Sequence, residues 1–143
     1  MSVPAGRGTL RSLPGVEIIV EGTAPELERL GFTAAALRQD LEQRLRAAGI
    51  TIYPSQKDNP SVAKPYLYLI LDSLELPGGR LAVAMQLHVR QMLESKVTGS
   101  QIVNAVTWDV HTIVAFTPSE ASEVRGAIGE TVDRFIADWR AVH

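Results

Sequence analysis

An aspartate and a histidine two residues apart are the pair in this sequence whose types and spacing are best suited to catalysis. Asp109 and His111 lie in the segment AVTWDVHTIVAF, which alternates polar residues with an apolar set. That set is Val106, Trp108, Val110, Val114 and Phe116. Such alternation predicts a β-strand with one buried face, so both polar side chains project from the other face. An aspartate beside a histidine can hold the imidazole in one tautomer for proton transfer.

The preceding segment, RLAVAMQLHVRQMLE, predicts a partner strand that carries His88 and Arg90 on its polar face. The linker SKVTGS allows two hairpin registers, because either of two dipeptides could form the turn. A turn at residues 99–100 places His88 opposite His111 and Arg90 opposite Asp109. Both registers keep the apolar faces of the two strands together, so the sequence allows either.

A turn at residues 98–99 instead places His88 opposite Asp109 and Arg90 opposite Thr107. In both registers an arginine, an aspartate and two histidines gather on one sheet surface. Two imidazoles and a carboxylate can bind zinc, which makes His88, His111 and Asp109 candidates for a metal site. The first alternative function is therefore a small-molecule or metal-binding protein that uses the open sheet face around His88 and His111. A hydrolase-type reaction at Asp109 and His111 is a further alternative. Both need a cleft, and one open sheet face is flat, so we predict no enzyme and no cofactor.

The elements that position these side chains follow the order β-α-β-β-β-β-α. The predicted strands are Val16–Val20, Ile50–Tyr53, Tyr66–Leu76, Arg80–Glu94 and Gln101–Phe116. One helix follows Thr33 as N-cap, and the last helix follows a capping box of Thr117, Pro118 and Glu120. Each helix has one apolar stripe: Leu37, Leu41 and Leu45, then Val124, Ile128, Val132 and Phe135. We therefore expect an α+β two-layer sandwich, a largely antiparallel sheet with both helices on one face.

The turn LPGGR makes a sharper prediction about the third strand. With Leu67, Leu69 and Leu71 in the core, Leu76 must face Arg80. That register needs a three-residue loop, residues 77–79, with a glycine at positive φ and a bulge.

The sheet face away from the helices is the surface that we predict to bind. It combines small, aromatic and charged side chains, which suits partial coverage by a protein partner or by a second copy of the chain. Its candidate binding residues are Tyr66, Tyr68, Gln86, His88, Arg90, Thr107, Asp109 and His111.

Composition limits the class of protein. The chain has 143 residues, a net charge of −2 and no cysteine, and its basic residues are scattered. We therefore expect no nucleic-acid partner and no disulfide. No apolar run is long enough for a transmembrane helix. Residues 1–15 are rich in Gly, Pro, Ser and Arg and predict a weakly ordered arm before a single domain at 16–143.

Several stretches resemble a group of small exported bacterial proteins without an assigned function. They are LRSLPGVEIIVE, GFTAAALRQDLEQRLRAAGI, PYLYLIL, LHVRQ, AVTW and VDRFIADWRAV. The resemblance implies a periplasmic or secreted location, although the first fifteen residues lack the apolar region of a signal peptide. A looser topological likeness is to small α+β domains of periplasmic assembly factors and lipoproteins, which act by binding.

Overall fold

The computed structural model describes residues 6–143, and these form one mixed five-stranded sheet and three α-helices. No helix of this part of the chain is long and apolar enough to cross a membrane. The elements are β1 (Gly15–Val20), α1 (Pro25–Glu28), α2 (Ala34–Ala47), β2 (Thr51–Tyr53), β3 (Tyr66–Leu76), β4 (Arg80–Glu94), β5 (Gln101–Phe116) and α3 (Ala121–Val142). Short 3-10 turns occupy Arg7–Leu10, Gln56–Asp58 and Pro118–Glu120.

The sheet is mixed rather than fully antiparallel, with the strand order β2-β1-β3-β4-β5. Strands β3, β4 and β5 form the expected antiparallel meander. Strand β1, however, runs parallel to both of its neighbours. The reason is the connections: two helices carry the chain from β1 to β2, and a long loop at 54–65 then carries it back across β1 to β3. Crossovers of this length allow parallel pairing, which a tight hairpin forbids.

The predicted register of the β3–β4 hairpin is confirmed. Leu76 faces Arg80, and the pairing continues without a shift from there to Tyr66 and Arg90. The predicted bulge is wrong, because the three-residue loop alone sets this register. The loop of three residues has both glycines in the left-handed region, Gly78 at φ 80° and Gly79 at φ 73°. The odd-numbered leucines of β3, Leu67, Leu69 and Leu71, are buried as expected. The tyrosines of β3 therefore lie on the other face of the sheet.

Both long helices pack on the same face of the sheet. Thr33 caps α2, accepting a hydrogen bond from the Ala36 N–H at 3.1 Å. Thr117 and Glu120 form the predicted capping box before α3. The two apolar stripes are buried in one core with the odd-numbered residues of β4: Leu37, Leu41, Leu45, Val124, Ile128, Val132 and Phe135 against Leu81, Val83, Met85, Leu87 and Val89.

The structure of strand β5 corrects one prediction, the burial of Val106 in the core. Its register against β4 shifts twice, between Val89 and Arg90 and between Gln91 and Leu93. The first shift inserts Thr107 as an extra residue, because Trp108 faces Val89 whereas Val106 faces Arg90. The side-chain alternation changes phase at such a bulge. Val106 was expected in the core and is instead 49% exposed, on the same face as Arg90.

The N-terminal segment is more ordered than the sequence predicts. Residues 1–5 of the expected arm lie outside the described residues, but from Arg7 onward the segment packs on the domain. Leu10 and Leu13 are buried in the main core. The Leu13 carbonyl also lies 2.9 Å from Nε2 of His143, at the end of α3. The burial of these two leucines stabilises the segment, although its composition is typical of a loop.

Asp138 joins three distant parts of the chain. Its carboxylate is almost fully buried on α3. One oxygen lies 2.8 Å from the guanidinium of Arg7, and the other accepts a hydrogen bond from Trp108 Nε1 at 2.9 Å. Trp108 itself packs edge to face on Phe135, with ring centroids 5.2 Å apart. The N-terminal segment, β5 and α3 thus meet at one satisfied buried carboxylate.

We expect Leu41→Ala to lower the free energy of unfolding by about 2–5 kcal/mol, since Leu41 is fully buried in the α2 stripe. Chemical denaturation with urea measures the loss. Gln39→Ala on the exposed side of the same helix is the control and should change it by less than about 0.5 kcal/mol. Equal effects of the two substitutions would contradict the burial of this stripe.

Asp138→Ala should destabilise the fold by about 1–3 kcal/mol, because it leaves Trp108 Nε1 buried without an acceptor and Arg7 without its partner. Asp138→Asn retains an acceptor for the indole and should cost less. The measurement is urea denaturation followed by tryptophan fluorescence. If Asp138→Asn is as harmful as Asp138→Ala, the charge rather than the indole hydrogen bond is what matters at this position.

Candidate functional site

The pairing of the strands aligns the predicted binding residues in rows across the face opposite the helices, here called the open face. One row is Ile19, Tyr68, His88 and Asp109, taken from β1, β3, β4 and β5 in turn. On either side of it, Tyr66 pairs with Arg90, and Gln86 pairs with His111. Of the two hairpin registers that the sequence allows, the structure shares with the second the pairing of His88 with Asp109. Its other parts are wrong, because two register shifts place Arg90 opposite Val106 and close the hairpin at Glu94 and Gln101 rather than at a turn of residues 98–99. Seven of the eight candidate residues therefore share one surface.

Thr107 is the candidate residue that leaves the open face. The bulge turns its side chain towards Gln91, which lies on the helix side of β4 and is buried. Gln91 Nε2 donates a hydrogen bond to Thr107 Oγ1 at 2.8 Å. The backbone carbonyl of Thr107 accepts a second hydrogen bond, from the Thr9 hydroxyl at 3.1 Å. Thr107 thus serves the fold, and Val106 takes its place beside Arg90.

Arg90 and Tyr68 form the centre of the polar cluster. The guanidinium carbon of Arg90 lies 5.0 Å from the centroid of the Tyr68 ring, within the range of a cation–π contact. Burial is the main cause that raises the pKa of the Tyr68 phenol, and a hydrogen bond with Glu21 adds to it. Arg90 Nε is buried and has no hydrogen-bond partner among the described residues. The arginine thus packs over the Tyr68 ring, and its buried Nε is left without a described partner.

His88 is buried although it points to the open face. It is 7% exposed, and its Nδ1 has no hydrogen-bond partner among the described residues. Burial lowers the pKa of His88 below its ordinary value, and the positive charge of Arg90 lowers it further. The imidazole is therefore neutral near pH 7, since its charged form would lose hydration without gaining a partner.

Asp109 and His111 are the pair that the sequence singles out as able to transfer a proton. Asp109 Oδ2 lies 2.5 Å from His111 Nε2, and both side chains are about half exposed. The rings of His88 and His111 meet edge to face with centroids 5.6 Å apart. Across residues 6–143, no three His, Cys, Asp or Glu side chains are grouped to hold a metal ion. His111 already faces a carboxylate, so the arrangement is an exposed hydrogen-bonded pair of Asp109 and His111 beside the buried imidazole of His88.

Among the cavities of ligand size, two lie at the β3–β4 turn and under the 54–65 loop, away from Asp109 and His111. One of about 380 Å³ is at the β3–β4 turn, between α1 and the 3-10 turn at Pro118–Glu120, and its charged lining residues are Glu26, Arg29, Glu75 and Arg80. Another, of about 230 Å³, borders Tyr66 under the 54–65 loop. It contains the described non-glycine residues with positive φ, Lys64 at 48° and Asn104 at 55°. No sequence signal predicts either cavity, because each is formed by segments far apart in the chain.

Exposed apolar side chains extend the open face beyond the polar cluster. Ile113 is 78% exposed and Leu74 is 64% exposed, and both lie towards the β3–β4 turn. Alanines at 82, 84 and 115 complete this end of the face. At the other end, β4 and β5 project past β3 as a ribbon with further exposed apolar residues: Leu93, Val97, Ile102, Val103 and Val106. The sequence predicts this mixture of polar and apolar side chains.

A comparison of the sequence with protein-family models and with curated proteins finds no match. The resemblance to small exported bacterial proteins therefore stays a prediction. The geometry of the chain's own residues is what bears on its function.

His88 should make the stability of the fold depend on pH in a defined direction. Because its pKa is lowered in the folded protein, the unfolded chain binds more protons and stability falls as the pH drops below about 6.5. The fall ends once the pH is below the folded value. In His88→Gln this part of the pH dependence should be missing when urea denaturation is repeated between pH 8 and pH 5. The same slope in variant and wild type would show that His88 is not the group responsible.

Proposed function

We propose that this protein is a non-enzymatic binding domain that docks a polypeptide segment on its open sheet face. The observation that carries the proposal is the exposure of Ile113 and Leu74 beside a preorganised cluster of Tyr68, His88 and Arg90. Apolar area supplies affinity when it is removed from water. Aromatic and arginine side chains are the groups most often responsible for the energy of protein interfaces.

The unsatisfied polar atoms of the cluster support the same function. His88 Nδ1 and Arg90 Nε are both without described partners, which is uncommon for buried nitrogen atoms. A bound polypeptide carries carbonyl and carboxylate oxygens that could accept from the terminal nitrogens of the Arg90 guanidinium, whereas the buried Arg90 Nε and His88 Nδ1 would gain a partner only if side chains of the open face shift on binding. Such contacts would orient a segment that the apolar end of the face holds.

A hydrolytic function has less support from the geometry. Asp109 and His111 are about half exposed on a flat surface, so water is not excluded from them. The cavities of about 380 and 230 Å³ have neither residue in their lining. A general base acts efficiently where a substrate can be enclosed and aligned against it. The surface suits recognition more than turnover.

We also propose that the domain works in the periplasm or outside the cell. The support is the resemblance of its segments to exported bacterial proteins. Fractionation of cells that express the native gene, with an antibody against this domain, tests the location.

Selection from a phage-displayed library of random peptides tests binding at the open face. Enriched peptides should bind the wild type and lose about tenfold or more in affinity for Ile113→Glu and for Leu74→Glu. Val62→Glu is the matched control, because Val62 is 86% exposed in the 54–65 loop. Peptides that bind all four proteins equally, or a selection that enriches none, would contradict the proposal. Stoichiometric zinc lost in both His88→Ala and His111→Ala would favour a metal site instead.

A further inference from the structure

The two edges of the sheet differ in how well they are protected. Strand β2, at one edge, has three residues, and short edge strands rarely recruit another chain. Strand β5, at the other edge, has 16 residues, and no other described strand pairs with its outer side. It contains no lysine and no proline, the residues that commonly block edge pairing. A long edge of this kind is a template for another strand.

The N-terminal segment covers β5 only near the bulge. Thr9 donates a hydrogen bond to the Thr107 carbonyl, and Gly6 lies against Thr107 and the Cα atom of Trp108. From Asp109 to Phe116 no hydrogen bond from another described segment reaches the outer backbone of β5. This free part of the edge contains the Asp109–His111 pair.

Asp109 and His111 make the free edge complementary to itself. In an antiparallel pair, residues directly opposite each other have their side chains on the same face. If two copies of β5 pair about a two-fold axis at Val110, Asp109 of each copy lies opposite His111 of the other. This register also keeps the open faces of both copies on one side, since odd-numbered residues face odd-numbered residues. The acid and the base then form a cluster of four alternating side chains.

The helix side of the same edge also carries an acidic and a basic residue that would pair between two copies of the chain. A groove of about 280 Å³ separates β5 from α3, and it is lined by Val110, Thr112, Ala127, Thr131 and the charged residues Glu130 and Arg134. Both charged side chains are exposed, and neither forms a salt bridge within the described chain. A two-fold axis at Val110 runs two copies of α3 antiparallel, with Glu130 of each facing Arg134 of the other. The small side chains Ala127 and Thr131 allow the helices to approach.

We propose that two copies of this chain join edge to edge through β5, with the two-fold axis at Val110, into one continuous antiparallel sheet. Backbone hydrogen bonds run between Asp109 and His111 of one copy and His111 and Asp109 of the other, because the backbone groups of the even-numbered residues of β5 already point to β4. The Asp109–His111 contacts on one side and the Glu130–Arg134 contacts on the other select this register over slipped ones. The inference does not depend on peptide binding at the open face, because it uses the edge of the sheet.

Charge exchange tests the register, with sedimentation velocity of the full chain as the readout. His111→Asp places carboxylates opposite each other and should weaken the dimer about tenfold or more. The double variant Asp109→His with His111→Asp restores the pairing and should return the dissociation constant to near the wild-type value. Glu130→Arg with Arg134→Glu should behave in the same way relative to Glu130→Arg alone. Asp40→His, on the exposed side of α2, is the control and should change nothing.

Cysteine cross-linking checks the position of the axis, since the chain has no cysteine of its own. Val110→Cys should give a disulfide-linked dimer on mild oxidation, whereas Val62→Cys should not. Circular dichroism confirms that each variant folds. A wild type that is monomeric at its highest soluble concentration would overturn the proposal, as would a dimer that the exchanged variants do not rescue. A dimer that forms only after removal of residues 1–5 would also overturn it, because the edge would then be covered in the intact chain.

Discussion

Strand β4 is the constraint on which the rest of the structure depends. It pairs with β3 from Arg80 to Arg90 and with β5 over nearly its whole length. Successive side chains of a strand point to opposite faces, so these two registers together decide the face of every residue in three strands. The core under α2 and α3 and the surface opposite them follow from the same pairing. A slip of β4 by one residue against both of its neighbours would place His88 and Arg90 in the core.

The bulges in β5 show how a local irregularity changes this pattern. Thr107 is the extra residue, and its hydroxyl and carbonyl are both satisfied, by Gln91 and by Thr9. Beyond it, Val106 turns to the open face, and the two strands continue past β3 as a ribbon. A two-stranded ribbon has little core of its own, so its exposed apolar residues are stabilised by few neighbours. The bulge therefore separates a sheet with one buried face from an extension with two exposed ones.

The open face places buried polar groups at a surface. His88 and Arg90 are packed by Tyr68 and by their neighbours in the sheet, yet each keeps a nitrogen atom without a described partner. Asp138, on the helix side, has the opposite arrangement, because each of its oxygens has a partner. A carboxylate that is satisfied internally serves the fold, whereas buried nitrogen atoms without a described partner are uncommon and mark a place that the fold alone does not explain. This contrast supports a role in recognition for the open face.

Local patterns in the sequence were sufficient for the elements and for most of the faces. Capping residues such as Thr33 and Thr117, the leucines of α2 and the glycines after Pro77 act through neighbours a few residues away, so their effects can be read from spacing. The parallel pairing of β1, the burial of Leu10 and the bond between Arg7 and Asp138 join residues distant in the chain. The register of the β4–β5 hairpin and the exposure of Val106 depended on the bulge at Thr107. The hydrogen-bond partner of Thr107, Gln91, lies on another strand. Energies of that kind arise only when the strands meet, and therefore the tertiary structure alone decided them.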